Sequence, residues 1–254
     1  MKYVSADEAV KLVKSGDWVF FQGSTAVPVI IQEALARRAD ELRGVNIVSG
    51  FNITKGPAPF CRPEYKESFF VNSLFLCADQ REYVAQGYGS LIPGFLGELP
   101  SLIRRHEIPV DVACINCSLP DENGYCSYNI SADLAQPAVE SAKIVIAQVN
   151  KSIPFLYGTA MIHESQITAA VECDDPPVDM QFGPPTEIES AIGSYIAAEI
   201  PDGATLQIGV GGIPNATLNG LKDHKHLGLH TEAMTDGVFR LMQSGVIDNS
   251  LKKI

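Results

Sequence analysis

Apolar positions in this chain fall into short runs separated by stretches of helical spacing, and that alternation predicts an α/β protein. Ser5-Ala6-Asp7-Glu8 reads as a capping box, with Ala9, Val10, Leu12 and Val13 behind it, so a helix is expected over 6–14. Gly16-Asp17 turns the chain into a strand at 18–22. The small-residue turn Gly23–Pro28 follows, then a helix over 28–42 with Ile30, Ile31, Ala34, Leu35, Ala39 and Leu42 on one face, then a strand at 45–49. A strand near 68–76 and helices near 79–86 and 96–105 are expected next. Runs 110–117 and 143–149 are apolar almost throughout, as strands covered on both faces are. A helix over 131–141 contains Pro137, which predicts a kink or a late start. Strands alternating with helices imply a mainly parallel sheet.

Residues 173–186 carry four prolines and three aspartates, which interrupt regular structure. They suggest one α/β domain over 1–175, a proline-rich linker over 176–185 and a second domain over 186–254. A second capping box, Thr186 with Glu189, predicts a helix over 187–199. A strand at 205–208, a glycine-rich turn at 209–212, a helix from Pro214, a strand at 227–231 ending on Glu232 and an amphipathic helix at 236–244 complete the chain. The order strand, small-residue turn, proline, helix, glycine, strand describes both 18–49 and 205–232, with Pro28 matching Pro214 and Gly44 matching Gly228. Two related open α/β halves are expected, the second incomplete, because two parallel strands leave open edges. Packing on the first half, completion by another chain, or a longer natural protein would each relieve those edges.

Charge and composition narrow the partners. The 254 residues carry a net charge of −11, which argues against nucleic acid or an anionic membrane as the main partner. The chain contains no apolar run of about 18 residues, and its first residues lack an apolar signal core. Six scattered cysteines read as reduced thiols, so a cytoplasmic protein is expected. Cys114 and Cys117 form a CxxC without a second pair, and His224, His226 and His230 are interleaved with Lys222 and Lys225, so no metal site is expected. Nucleophilic serine chemistry lacks its Gly-x-Ser-x-Gly.

The candidate chemistry sits at 203–237. A glycine turn leading into a helix start makes an anion-binding corner, or else a purely structural tight turn. Pro214 stands where the dinucleotide fingerprint needs glycine, and the phosphate loop's Gly-Lys-Ser/Thr is missing. Glu232 reads either as a solvated strand-end acid or as a carboxylate facing the corner. These residues alone name no reaction.

Five segments together carry a resemblance: Ser5–Gly16, PDENGYCS at 120–127, AVESAKIVIAQVNKSIP at 138–154, QIGVGGIPNA at 207–216 and LGLHTEAMTDG at 227–237. They resemble the acetyl-CoA hydrolase/transferase family, the class I CoA-transferases that include 4-hydroxybutyrate and butyryl-CoA:acetate CoA-transferases. The resemblance implies two similar α/β domains, in a protein longer than this chain. It implies that Glu232 attacks an acyl-CoA thioester, and that Gln207, Gly209, Gly211, Gly212, Asn215, Gly23 and Ser24 line the substrate and CoA site. Coenzyme A would be a substrate, with no permanently bound cofactor. The partners implied are an acyl-CoA and a short-chain carboxylate, acetate among them, in a homo-oligomer. An acyl-CoA hydrolase and a catalytically incomplete binding or assembly module are the alternatives. Because a carboxylate is a weak nucleophile, Glu232 is expected to be ionised and poorly solvated.

Overall fold

The computed structural model describes residues 1–179 and 183–253, apart from the side chain of Asn129. The centre of the expected linker, 180–182, lies outside the described residues. The chain divides into two compact units, Met1–Met180 and Gln181–Ile254.

The first unit contains strands β1 (Trp18–Phe21), β2 (Val45–Ser49), β3 (Phe69–Ser73), β4 (Gly89–Leu91), β5 (Val112–Cys117), β6 (Tyr125–Ser127), β7 (Ile144–Asn150), β8 (Met161–His163) and β9 (Ala169–Cys173). Its helices are α1 (Ala6–Ala9), α2 (Val29–Arg37), α3 (Ala78–Tyr83), α4 (Leu99–Arg104) and α5 (Ala135–Ser141). Seven strands form one sheet in the order β4-β3-β2-β1-β5-β7-β9, and every pair in it is parallel. Strands β6 and β8 form a separate antiparallel ribbon. Residues of alternate parity feed two apolar layers. Val19, Phe21, Ile47, Val71 and Cys114 pack with Ile31 and Leu35 of α2. Phe20, Val48, Ala113 and Ile115 pack with Leu99, Ile103, Ala135 and Ala138 of α4 and α5. Burial on both faces is why these strands read as unbroken apolar runs.

Several boundaries move from where sequence alone sets them. The helix expected over 6–14 is α-helical only to Ala9 and tightens into a 3₁₀ turn over Val10–Leu12. The helix expected over 28–42 ends at Arg37. Arg38 leaves it and donates its guanidinium to the carbonyls of Val10 and Val13, so it caps the end of the first helix. The helix expected over 131–141 starts late, at Ala135. Pro137 then falls in the first turn, where its missing N–H removes no hydrogen bond. Strands β4, β6 and β9 are additions that the apolar pattern does not announce, whereas β8 falls on the strand-like run Met161–His163. Strands β4, β6 and β8 have three residues each, and β4 and β9 are the sheet edges.

Strand order reverses between β1 and β5. There the fully buried Gln22 ties three segments together. Its Oε1 accepts the Asn116 N–H at 2.7 Å, and its Nε2 donates to the carbonyls of Tyr128 at 3.2 Å and Ser131 at 2.9 Å.

The second unit contains α6 (Glu187–Glu199), β10 (Thr205–Leu206), α7 (Gly212–Gly220), β11 (Gly228–Leu229) and α8 (Asp236–Gln243). The capping box forms as expected: Thr186 Oγ1 accepts the Glu189 N–H at 3.2 Å, and Glu189 Oε2 accepts the Thr186 N–H at 2.7 Å. Leu206, Leu218, Leu221, Leu227, Val238 and Leu241 form its core. Gly193 lets α6 pack directly on the backbone of α7 at Ala216. Strands β10 and β11 pair in parallel, so both units contain a strand–turn–helix–strand unit of the same sense. Gly44 and Gly228, matched in sequence, serve different ends. Gly44 takes a left-handed φ of 63°, whereas Gly228 sits in β11, where a Cβ would crowd Thr205 Oγ1. Among the described residues no helix is long and apolar enough to cross a membrane.

Replacing Gln22 by Met keeps its volume and removes three buried hydrogen bonds, which should destabilise the first unit by roughly 2–4 kcal/mol. Urea denaturation followed by circular dichroism measures this, and a change below about 0.5 kcal/mol would show the bonds to be energetically idle.

Candidate functional site

The β10–β11 ladder consists of two residue pairs, Thr205↔Gly228 and Leu206↔Leu229. It is shorter than the runs 205–208 and 227–231 because a side chain takes over the pairing. Thr231 Oγ1 donates to the Ile208 carbonyl at 2.8 Å and accepts the Ile208 N–H at 3.2 Å. This clamp holds the segment after β10 against the segment after β11. Gly209 opens the glycine turn on one side of it, and Glu232 is the next residue on the other.

Glu232 lies on a bend three residues beyond β11 and is exposed, with no hydrogen bond or ion pair to its carboxylate among the described residues. The shielded glutamate expected from nucleophile chemistry is therefore not what this chain presents. Among the described residues the two-stranded sheet has no third strand to lie over it.

The turn itself requires glycine. Gly211 is the N-cap of α7 with φ 139° and ψ −178°, a region essentially closed to other residues. The helix begins at Gly212, so Pro214 falls within its first turn. Gly209, Gly211, Gly212 and Asn215 are half-buried along this turn, and Gln207 is exposed just before it. One neighbour was not foreseen. The Glu189 carboxylate, part of the α6 capping box, lies so close that a Cβ on Gly212 would overlap it. The positive end of α7 therefore already faces an acid of its own unit. The Thr-x-x-Glu spacing was legible, but its position against the turn depends on how α6 packs on α7.

Gly23 and Ser24 belong to the first unit. They follow β1 and extend its pairing: Ser24 donates its N–H to Phe51, and its carbonyl accepts the Ile53 N–H at 3.0 Å. Ser24 holds a left-handed φ of 54°, and a Cβ on Gly23 would overlap the Phe51 carbonyl. Beyond the ends of β2 and β3 opens a cleft of about 540 Å³, lined by 51–57 and 75–79 with Arg81. Asn52 and Asp79, each 6% exposed, lie at its base. Asn52 Nδ2 donates to Asp79 Oδ2 at 2.9 Å, and the Asn52 N–H reaches Cys77 Sγ at 3.3 Å. Burial pushes the Asp79 carboxyl above its ordinary value, against the opposing pull of the Asn52 hydrogen bond. Sequence reasoning passed over this cluster, because its members come from two irregular segments that only strand pairing brings together.

The histidines disperse. His224 Nε2 pairs with the Ile200 carbonyl at 2.9 Å, and His226 Nδ1 with Asp248 Oδ2 at 2.8 Å. Cys114 and Cys117 are buried in β5. Among the described residues no three potential metal ligands cluster.

Comparison with known proteins adds a family. A model of the acetyl-CoA hydrolase/transferase N-terminal domain matches residues 1–180. The 4-hydroxybutyrate coenzyme A transferase of Clostridium kluyveri is 40% identical over 253 residues, covering 100% of this chain and 58% of that protein. A succinyl-CoA:acetate/propanoyl-CoA:succinate CoA transferase of Fasciola hepatica is 38% identical, over 98% of this chain and 52% of its own length. The crystal structure of a 4-hydroxybutyrate CoA-transferase from Porphyromonas gingivalis superposes with a TM-score of 0.84 at 36% identity, over 100% of this chain and 59% of that one. The chain thus spans somewhat over half the length of these relatives.

Two measurements check the geometry above. Gly211→Ala forces a strained φ and should cost about 1–3 kcal/mol, whereas Gly212→Ala displaces only the flexible end of Glu189 and should cost about 1 kcal/mol or less. Thermal melts of the two variants should rank them in that order. For Asp79, the folded chain retains a proton that the unfolded chain has lost once pH exceeds the ordinary carboxylate value. Stability should therefore fall as pH rises from that value through the raised one, and Asp79→Asn should flatten the decline. Denaturation midpoints across that pH range measure it.

Proposed function

The chain belongs to the acetyl-CoA hydrolase/transferase family, and from that membership we propose that it acts as a CoA-transferase in which Glu232 is the nucleophile. The observation that carries this reading is the Thr231–Ile208 clamp, which sets Glu232 beside the glycine turn. CoA passes between a short-chain acyl-CoA and a carboxylic acid, with acetate as one partner and butyrate or 4-hydroxybutyrate as the other; the names of the relatives support acids of this size. Residues 1–175 then form the N-terminal CoA-transferase domain, and 186–254 begin the second. Coenzyme A is a substrate and not a resident group, and the working form is a cytoplasmic homo-oligomer.

Transfer takes four nucleophilic attacks. A Glu232 carboxylate oxygen attacks the thioester carbonyl and expels the CoA thiolate, leaving an acyl-glutamyl anhydride. The thiolate attacks the glutamyl carbonyl of that anhydride and releases the first acid as its carboxylate. A second carboxylate attacks the glutamyl-CoA thioester and expels the thiolate again. The thiolate then attacks the new acyl carbonyl, which frees Glu232. Each tetrahedral intermediate concentrates charge on one oxygen, and backbone amides at a helix start are suited to receive it. Gln207, Gly209, Gly211, Gly212 and Asn215 are the residues of the turn that serve this step, and Gly23 and Ser24 contribute to the substrate pocket.

One observation favours a second reading. Glu232 is exposed, so water can reach a glutamyl-CoA thioester and the outcome is an acyl-CoA hydrolase.

Borohydride added after butyryl-CoA reduces a glutamyl thioester to an alcohol, and peptide mass spectrometry should find that product at Glu232. Turnover of butyryl-CoA and acetate with no modified residue would remove the covalent route. Thioester loss without any added acid would select the hydrolase. Thr231→Val removes both bonds to Ile208, about 1–3 kcal/mol of positioning, and should lower kcat roughly tenfold with little change in KM. Steady-state kinetics with butyryl-CoA and acetate measures it.

A further inference from the structure

Helix α6 buries its small residues and exposes its large ones. A Cβ on Gly193 would overlap Ala216 of α7, and a Cβ on Gly220 of α7 would overlap Ala197. Gly193 and Ala197 are the buried residues of this 13-residue helix. Its large apolar side chains stand in solvent instead, with Ile188 74%, Ile192 36%, Tyr195 77% and Ile196 41% exposed. At the helical repeat these four and Glu199 share one side of the cylinder. A surface helix normally has the reverse arrangement, with the large apolar stripe inward. A contiguous apolar stripe left in solvent marks contact with another surface.

The spacing, the charge and the size of the stripe say which surface. Ile188 and Ile196 stand at equal distances from Ile192, so the row is symmetric about Ile192 and complements itself when reversed. Self-complementarity of that kind is what a two-fold contact between identical chains requires. Glu199 lies at the C-terminal end of α6, where the helix presents its negative pole and an acid is disfavoured. Its side chain has no hydrogen bond or ion pair among the described residues. A reversed copy of α6 brings its positive end to this acid, and the two-fold repeats the gain at the other end. Five side chains from each copy, along about 20 Å of helix, bury roughly 1,000 Å² in total, the low end for a specific pair.

We propose that α6 pairs with the α6 of a second copy of this chain, antiparallel about a two-fold axis at Ile192. Ile188 of each copy packs on Ile196 of the other, Ile192 meets Ile192, and Glu199 faces the start of the opposite helix. Any other cover, a further CoA-transferase segment included, has no reason to set Ile192 against itself. The contact specifies the homo-oligomer proposed above and rests on that reading, but it is independent of the role of Glu232. An interface of this size exchanges with monomer rather than holding a permanent dimer.

Sedimentation equilibrium of the 254-residue chain, over about a hundredfold range of micromolar concentration, should show monomer and dimer in exchange. Ile192→Glu sets two acids face to face and should leave monomer at every concentration. Glu199→Lys suits its own helix end and opposes the start of the other helix. It should weaken the dimer about tenfold while leaving the melting temperature, taken where monomer dominates, unchanged or higher. Diamide should link Ile192→Cys to itself as a dimer on a non-reducing gel, whereas Ser194→Cys, outside the stripe, should stay unlinked. A dimer in which Ile192→Cys fails to link would keep the homo-oligomer and overturn this face. A chain that stays monomeric would overturn both. A dimer unaffected by Glu199→Lys, or one that Ser194→Cys links as readily as Ile192→Cys, would overturn the antiparallel pairing.

Discussion

Seven strands running the same way put seven carboxyl ends on one edge of the sheet, and that constraint organises the first unit. Side chains within the strands can be apolar, because helices cover both faces. At the edge the ladders stop, the connections diverge, and polar groups have to find partners in three dimensions. Gln22 shows the solution at the point where strand order reverses, with one amide satisfying Asn116, Tyr128 and Ser131. The unpartnered buried atoms show where such solutions are incomplete. Those of Gln32, Asn52, Ser73, Asp79, Gln80, Asn116 and Gln148 all fall near a strand's carboxyl end or in the first turns of the helix that follows one. Chemistry and ligand capacity concentrate on that edge for the same reason that packing runs short there.

The second unit meets the same constraint with less material. Its ladder has two pairs, and one hydroxyl extends it by another step. Thr231 is therefore the residue through which strand pairing becomes the position of Glu232. A valine of the same shape would keep the packing and lose the register. The exposure of Glu232 and the proximity of Glu189 to Gly212 belong to the same arrangement: the turn is formed, its dipole faces an acid, and the candidate nucleophile stands in solvent. An ionised carboxylate in water is stable and unreactive. Its use as a nucleophile requires that water be removed around it.

Legibility in the sequence followed the range of the interaction. The N-caps Ser5 and Thr186 were readable because they concern residues three apart; the reciprocal box closes at Thr186 with Glu189, whereas the Glu8 carboxylate takes Lys11 instead of the Ser5 N–H. The buried strands of the sheet were readable because double-sided burial leaves an apolar run. The glycine turn was readable as a turn, and Gly211 gives the reason in its φ of 139°. Edge strand β4 was not, since three residues carry little pattern. The end of α2 was not, because Arg38 abandons the helix to cap a segment 25 and 28 residues away.

By itself the sequence determined the class of fold, the helix starts capped by Ser5 and Thr186, the central strands, the glycine turn and the acid that follows β11. These depend on local propensity and on periodicity, which neighbours along the chain express. Only the tertiary structure decided what each acid faces. Glu232 and Glu189 are both glutamates near one turn, yet one is free in solvent and the other is held by Thr186 against Gly212. Asp79, unremarkable in sequence, is buried beside Asn52 because β2 and β3 pair in register and bring their following loops together. Solvation and partnership set the chemistry of a carboxylate, and both are properties of the packed chain rather than of the residue.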